Sequence, residues 1–172
     1  MSLRPSINDL SSLGHHASKY HWGIQFVSLP AAVSGFTSAD LNTRCISATA
    51  PSRTQQKADI ALRGHKVYQH AIMDYSGSIT LNMHETEDRK TLTFFENWMN
   101  LQWMPDTGVQ IPKSTNQAVF LLTLLNSMDS PVKYYTIFGA FPTGLDGVTY
   151  DSTDNSVVTY SVTFSYDWYL LS

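Results

Sequence analysis

The sequence predicts a mainly β protein with one flanking helix and a projecting hairpin. Three observations carry this. From Val158 to Trp168 two kinds of residue alternate without interruption. Val158, Tyr160, Val162, Phe164, Tyr166 and Trp168 share one face, and Thr159, Ser161, Thr163, Ser165 and Asp167 share the other. That period of two marks a strand with core on one side and water on the other. Only one stretch, about 86–103, carries a convincing helical pattern. Finally, charged residues are only 15% of the chain while Tyr (9) and Phe (8) are plentiful, which suits pleated, half-buried surfaces.

In chain order, residues 1–19 are polar, with a weak helical spacing of Ile7, Leu10 and Leu13 ended by Gly14. They read as an N-terminal arm or short docking helix that orders against a partner. Tyr20–Leu29 is a strand, with Tyr20, Trp22, Ile24 and Phe26 facing one way and Pro30 ending it. Residues 31–40 are expected to be a small-residue connection, and Leu41–Thr49 a second strand broken by Pro51.

Residues 53–74 are distinctive. Arg53, Lys57, Arg63 and Lys66 outnumber Asp59 and Asp74, and Gly64 sits where a hairpin tip belongs. Ala58, Ile60, Leu62 and Val67 give one face little to bury at home. Two readings stand: a solvated surface hairpin, or an extended arm that pairs outside its own core. Isolated hairpins are marginal in water, which favours the arm.

Ile79, Leu81 and Met83 alternate with Thr80, Asn82 and His84 as the next strand. Thr86 is the expected helix cap, with Glu87 and Asp88 placing negative charge near the positive end of the dipole. Leu92, Phe95, Trp98, Met99 and Trp103 then fall on one stripe, the first four being the expected core residues, and Pro105 prevents continuation. Phe94 and Leu101 fall on the opposite side, as peripheral core under a loop or as a contact with another subunit. Residues 104–117 read as a polar loop, and Ala118–Asn126 as a strand covered on both faces. Val132–Phe141 is a further strand, Pro142, Gly144 and Gly147 mark a loop, and Asp151–Asn155 is a turn.

At 172 residues the chain is expected to form one domain with arms. A net charge of −3 argues against gripping nucleic-acid phosphates over the whole surface. Cys45 is alone, which leaves no disulfide framework and no Cys-based zinc site. MSLRPSINDL lacks the apolar core of a secretory signal, and no apolar run approaches the roughly 20 residues a membrane helix needs. The expectation is a cytosol-like compartment with no membrane anchor. No phosphate-binding glycine loop, HExxH or GxSxG occurs. The His65 and His70 pair reads as surface, and Glu85, Glu87 and Asp88 read as helix-start charges. Neither catalytic, metal nor cofactor residues are expected, and the chain is not expected to be an enzyme. A small β-sandwich enzyme or ligand-binding module is the reading from a different class.

The order of these features resembles the tail tube proteins of contractile-tailed (myovirus-type) bacteriophages, over about residues 20–170. RCISATAPS is similar to the family's strand ending in a small-residue, Pro-containing turn, and the basic hairpin follows as it does there. GSITLNMHETEDRKTLTFFENW resembles the family's strand, acidic turn and helix. YYTIFGAFPTGLDGVTYDSTDNSVVTYSVTFSYDWY resembles its most recognisable part, with Gly139, Phe141 and Pro142 forming the Gly-aromatic-Pro turn. The chain departs at 29–41, an apparent insertion, and at Phe141, where the family usually has Trp.

The resemblance implies an antiparallel β-sandwich or barrel-like fold with one helix on its side. It also implies a structural virion protein, assembled in the host cytoplasm, whose hexameric rings stack into a hollow tail tube. Sheath protein would surround the tube, baseplate and tail terminator proteins would close its ends, and DNA would pass through the lumen without sequence-specific binding. Thr159, Ser161, Thr163 and Ser165 would face that lumen. The arm bearing Arg53, Lys57, Arg63 and Lys66 would reach the neighbouring ring. Two alternatives share the fold: a baseplate tube initiator, and the inner tube of a contractile injection or type VI secretion machine. The polar face of the last strand alone is equally compatible with a plain solvent-exposed sheet.

Overall fold

The computed structural model describes residues 17–75 and 77–172, so residues 1–16 of the expected N-terminal arm lie outside the described part. The elements are β1 (Trp22–Ser28), α1 (Ser38–Arg44), β2 (Cys45–Ala48), β3 (Arg53–Leu62), β4 (His65–Tyr75), β5 (Ser78–His84), α2 (Lys90–Gln102), β6 (Ala118–Leu125), β7 (Pro131–Leu145), β8 (Thr159–Ser165) and β9 (Trp168–Leu171). All strand pairs are antiparallel.

Two sheets share β7. From Pro131 to Ala140 this strand pairs with β6, and its residues 135–138 pair with β9 on the other side. From Phe141 to Leu145 it pairs with β8. One sheet therefore runs β1-β6-β7-β9 and the other β7-β8-β5-β2, with the β3–β4 hairpin separate. The crossing falls at Gly139, where φ is +67°, a region that side-chain-bearing residues rarely adopt. A Cβ there would lie 2.8 Å from Asp167 Cγ.

The expected unbroken strand through Trp168 is two strands. At the same crossing the Tyr166 N–H donates to Gly77 O and the Asp167 N–H to Phe138 O, and the chain moves from one sheet to the other. Tyr166 and Tyr169 are buried while Trp168 is exposed, so the alternation changes face. The expected loop at Pro142 and Gly144 is strand as well. The register shifts between these two residues, and such a bulge accommodates a residue with no N–H to give.

Between the sheets lie Phe120, Ile137, Leu81, Met83, Val162 and Phe164, with α2 closing one side. Phe95 and Trp98 meet Phe164 edge-on at 5.8 Å, a favoured geometry for rings. The indole N–H of Trp98 donates to Asn116 O at 3.2 Å.

The helix begins at Lys90 and not at 86, and Thr86 does not cap it. Two of its free N–H groups, those of Thr91 and Leu92, donate to the Glu85 carboxylate at 3.2 and 2.8 Å. Glu85 is buried at the end of β5 and faces Arg44 at 3.5 Å. Thr86 is held elsewhere, by Arg44 Nη1 at 2.7 Å and by Asp88. The buried stripe is Thr91, Phe94, Phe95 and Trp98, one step round from the expected one. Leu92 and Met99 are half-buried at its margins, and Trp103 is exposed. Phe94 lies under the loop before α1, stacked on Phe36 at 4.7 Å. Of its two readings, the loop-covered one holds.

Residues 31–37 are the expected connection, and a second helix takes residues 38–40 and the first part of the expected strand 41–49. In α1 the Thr37 hydroxyl accepts from Asp40 N–H while the Asp40 carboxylate accepts from Thr37 N–H, a reciprocal cap. Leu41 anchors the helix in the core. Asn42 Oδ1 and Ser38 Oγ accept from the β1 N–H groups of Ile24 (3.0 Å) and Phe26 (3.2 Å), covering an edge that would otherwise be open. Because β2 follows α1 directly, this helix joins the two ends of the strand path and makes the sandwich barrel-like. β6 also differs from expectation. Ala118, Phe120 and Leu122 are buried, but Val119, Leu121 and Thr123 on its other face are only half-buried.

Candidate functional site

Two surfaces stand out, a polar wall and the free hairpin. The wall is the outer face of β5 and β8. Thr159, Ser161, Thr163 and Ser165 stand opposite His84, Asn82, Thr80 and Ser78 respectively. Behind them Tyr160, Val162 and Phe164 are buried, so period-two alternation fixes which way the hydroxyls point. Thr80 and Thr163 hydroxyls lie 3.5 Å apart, and Asn82 Nδ2 donates to Ser47 Oγ at 2.8 Å. Thr143 Oγ1 donates to Thr163 O at 3.2 Å. The paired rows contain no Asp, Glu, Lys or Arg. Such a face is hydrated by hydroxyls and amides, offers no fixed charge to hold a polyanion and presents no apolar patch to stick to.

The loop between β7 and β8 carries Asp146, Asp151 and Asp154. Hydrogen bonds from Thr153 hold the Asp151 carboxyl below its ordinary range, and those from Ser156 do the same for Asp154. Both stay anionic across neutral pH.

The hairpin spans Arg53–Tyr75 and turns at Arg63 (φ +47°) and Gly64 (φ +82°), the left-handed pair that two-residue hairpin turns require. Every residue from 53 to 70 is exposed. Its root is tied to the body by Tyr75, packed edge-on against Tyr169 at 5.4 Å, and by Tyr166 OH, which donates to Ser52 O at 3.2 Å. Register places Lys57, Asp59, Lys66, Tyr68 and His70 on one face. There Lys57 Nζ lies 4.4 Å and Lys66 Nζ 5.4 Å from the Tyr68 ring centre, and Lys66 also pairs with Asp59. Arg53 and Arg63 make no ion pair among the described residues. The other face carries Ala58, Ile60, Leu62 and Val67, with His65 and Gln69 at its two ends.

Tyr68 and Glu85 are the organising residues that sequence reasoning passed over. Tyr68 sits between two lysines only once register is known. Glu85 was legible as a helix-start charge, but not as the cap itself. Among the described residues no group of three or more His, Cys, Asp or Glu is placed to hold a metal ion. No helix there is long and apolar enough to cross a membrane. Burial pushes the Cys45 thiol up to about 12, which leaves it protonated at neutral pH.

The two-sheet subunit with its polar outer wall and free arm has counterparts among solved structures. The fold is shared with a chain in the cryo-EM structure of an extracellular contractile injection system, the PVC sheath/tube terminator in the extended state. That match has TM-score 0.66 and 13% identity, covering 93% of this chain and 99% of that one. It is shared also with a chain of the PVC sheath-tube complex in the extended state, with TM-score 0.60 and 15% identity over 98% and 99%. A chain of the anti-feeding prophage tube-terminating cap matches with TM-score 0.64 and 16% identity over 92% and 91%. No curated protein matches the sequence. The sequence model of the phage tail tube protein family matches residues 17–172, and the chain belongs to that family. Its role is structural, as a tube component of a tail-like assembly.

Proposed function

We propose that six copies of this chain close into a ring, that rings stack into a hollow tube, and that the genome passes through it during ejection. Thr159, Ser161, Thr163 and Ser165 line the lumen. The hairpin bearing Arg53, Lys57, Arg63 and Lys66 reaches the neighbouring ring, sheath protein surrounds the tube, and baseplate and terminator proteins meet its ends. The observation that carries this reading is the uncharged hydroxyl wall on β5 and β8, backed by core and continuous across the strand pair. Contacts of one patch against a different patch close into rings or propagate as filaments, and a family of tube proteins supplies both.

Electron microscopy of the purified protein across a concentration series tests it. Hollow rings or tubes with a regular axial repeat, and a lumen map placing the β8 hydroxyls inside, are expected. Solid fibres, a lumen lined by another face, or monomers up to roughly millimolar concentration would overturn it. The fold is equally that of injection-machine chains, so the same tube would serve a protein cargo. Isolated particles distinguish the two by whether they enclose DNA.

A further inference from the structure

We propose that the apolar face of the hairpin, and not its cations, makes the contact between copies, and that it docks on the outer face of β6, β7 and β9 of a second copy. This rests on the tube reading and names the surfaces that hold it together. Ile60, Leu62 and Val67 share one hairpin face and are 43%, 71% and 58% exposed. No described residue covers them, since every residue from 53 to 70 is exposed. The opposite face is already occupied with itself, Lys57 and Lys66 flanking the Tyr68 ring and Lys66 pairing with Asp59.

The receiving surface is a second apolar face that the fold leaves open. On β7 Val132, Tyr134 and Phe138 share the outer side; Phe138 faces Trp168 and Thr136 faces Leu170 on β9, while Leu121 of β6 faces Thr136. Phe138 and Trp168 stack at 4.2 Å, and Val132, Trp168 and Leu170 are exposed. No charged residue lies among them.

The lengths fit. Val132 to Phe138 spans roughly 20 Å of strand, and Ala58 to Leu62 roughly 14 Å. Asp129 in the turn before β7 and Asp167 beside Trp168 bracket the receiving face, each already partnered within the chain, by His21 at 3.3 Å and by Lys113. Over the roughly 20 Å of receiving strand, a two-stranded face about 10 Å wide covers roughly 200 Å², well under the roughly 800 Å² per partner of a stable pair. A single arm is therefore weak, and only a closed assembly in which every copy gives and receives one is held.

The test uses the full chain in a sedimentation and electron-microscopy concentration series. Ile60→Ser with Val67→Ser is expected to raise the assembly threshold at least tenfold, while Lys57→Gln with Lys66→Gln leaves it within about twofold. Circular dichroism and an unchanged unfolding midpoint establish that each variant is folded. Val67→Cys with Tyr134→Cys, in a Cys45→Ser background, is expected to give copy-to-copy disulfides in assembled material and none below the threshold. Wild-type assembly undisturbed by the serine variant, or lost in the glutamine variant, overturns the proposal while leaving the tube reading intact. A serine variant that fails to assemble, without disulfides in the cysteine pair, overturns the receiving face. A wild type that never assembles overturns the tube reading itself.

Discussion

The β5–β8 pair and the β3–β4 hairpin are built alike and end differently. Each is an antiparallel pair with one apolar and one polar row. In β5–β8 the apolar row of Ile79, Leu81, Met83, Tyr160, Val162 and Phe164 is buried, because β2, β7 and α2 lie beside and beneath it. In the hairpin the corresponding row stays in water. Alternation specifies that a face is to be covered. It does not say by which molecule, and the hairpin is the place where the answer leaves the chain.

That contrast can be broken first from the buried side. Trp98→Ala removes a fully buried ring and its hydrogen bond to Asn116, and is expected to cost about 3–5 kcal/mol by chemical denaturation. A variant with the wild-type midpoint would mean the wall does not depend on α2 for its backing. Glu85→Ala is expected next, at about 1–3 kcal/mol, since it strands two helix N–H groups. Glu85→Gln, which keeps one acceptor, should lose less in the same titration.

At the seam, Thr37→Ala is expected to cost about 1 kcal/mol as a lost cap. Asp40 adds a pH signature there. Hydrogen bonds from Lys90 and Thr37 hold its carboxyl well below the ordinary value of 3.8. A depressed folded value means the stabilisation is present above the unfolded value and is lost as pH falls below about 3.8 toward the folded one. Asp40→Asn should therefore flatten the acid end of a stability–pH curve and leave its slope near neutrality unchanged. Smallest of all, Ile60→Ser should change subunit stability by under about 0.5 kcal/mol, measured on monomer below the assembly threshold. A larger loss would mean the arm is covered at home, and the contrast with β5–β8 would vanish.

Much of this was readable from the chain. The β8 alternation, the hairpin with its Gly64 tip and the existence of α2 all rest on local patterns that the fold leaves undisturbed. The misses have physical reasons. α1 is too short to show a period, and only its Thr37-to-Asp40 spacing announced it. The stripe on α2 was set one step off because Phe94 looked surplus until Phe36 was seen above it. The breaks at Gly139 and Tyr166–Asp167 were invisible because apolar residues continue at even spacing while the chain changes sheets. For the surfaces, local pattern located the hydroxyl row and the arm, but not Tyr68 between the lysines or the open face of β6, β7 and β9. Those depend on register between distant strands.

The register of β1 has a consequence for synthesis. Trp22 lies opposite Leu124, so the first strand to leave the ribosome waits for β6 before it has a partner. The hairpin closes between Leu62 and His65, across a two-residue turn. Local pairings form early and distant ones late. The nascent chain therefore displays the hairpin's apolar row before any core exists to hide the rest. The Lys57–Tyr68–Lys66 row on the reverse keeps that early hairpin solvated, so premature sticking is opposed on one side from the moment the arm is made.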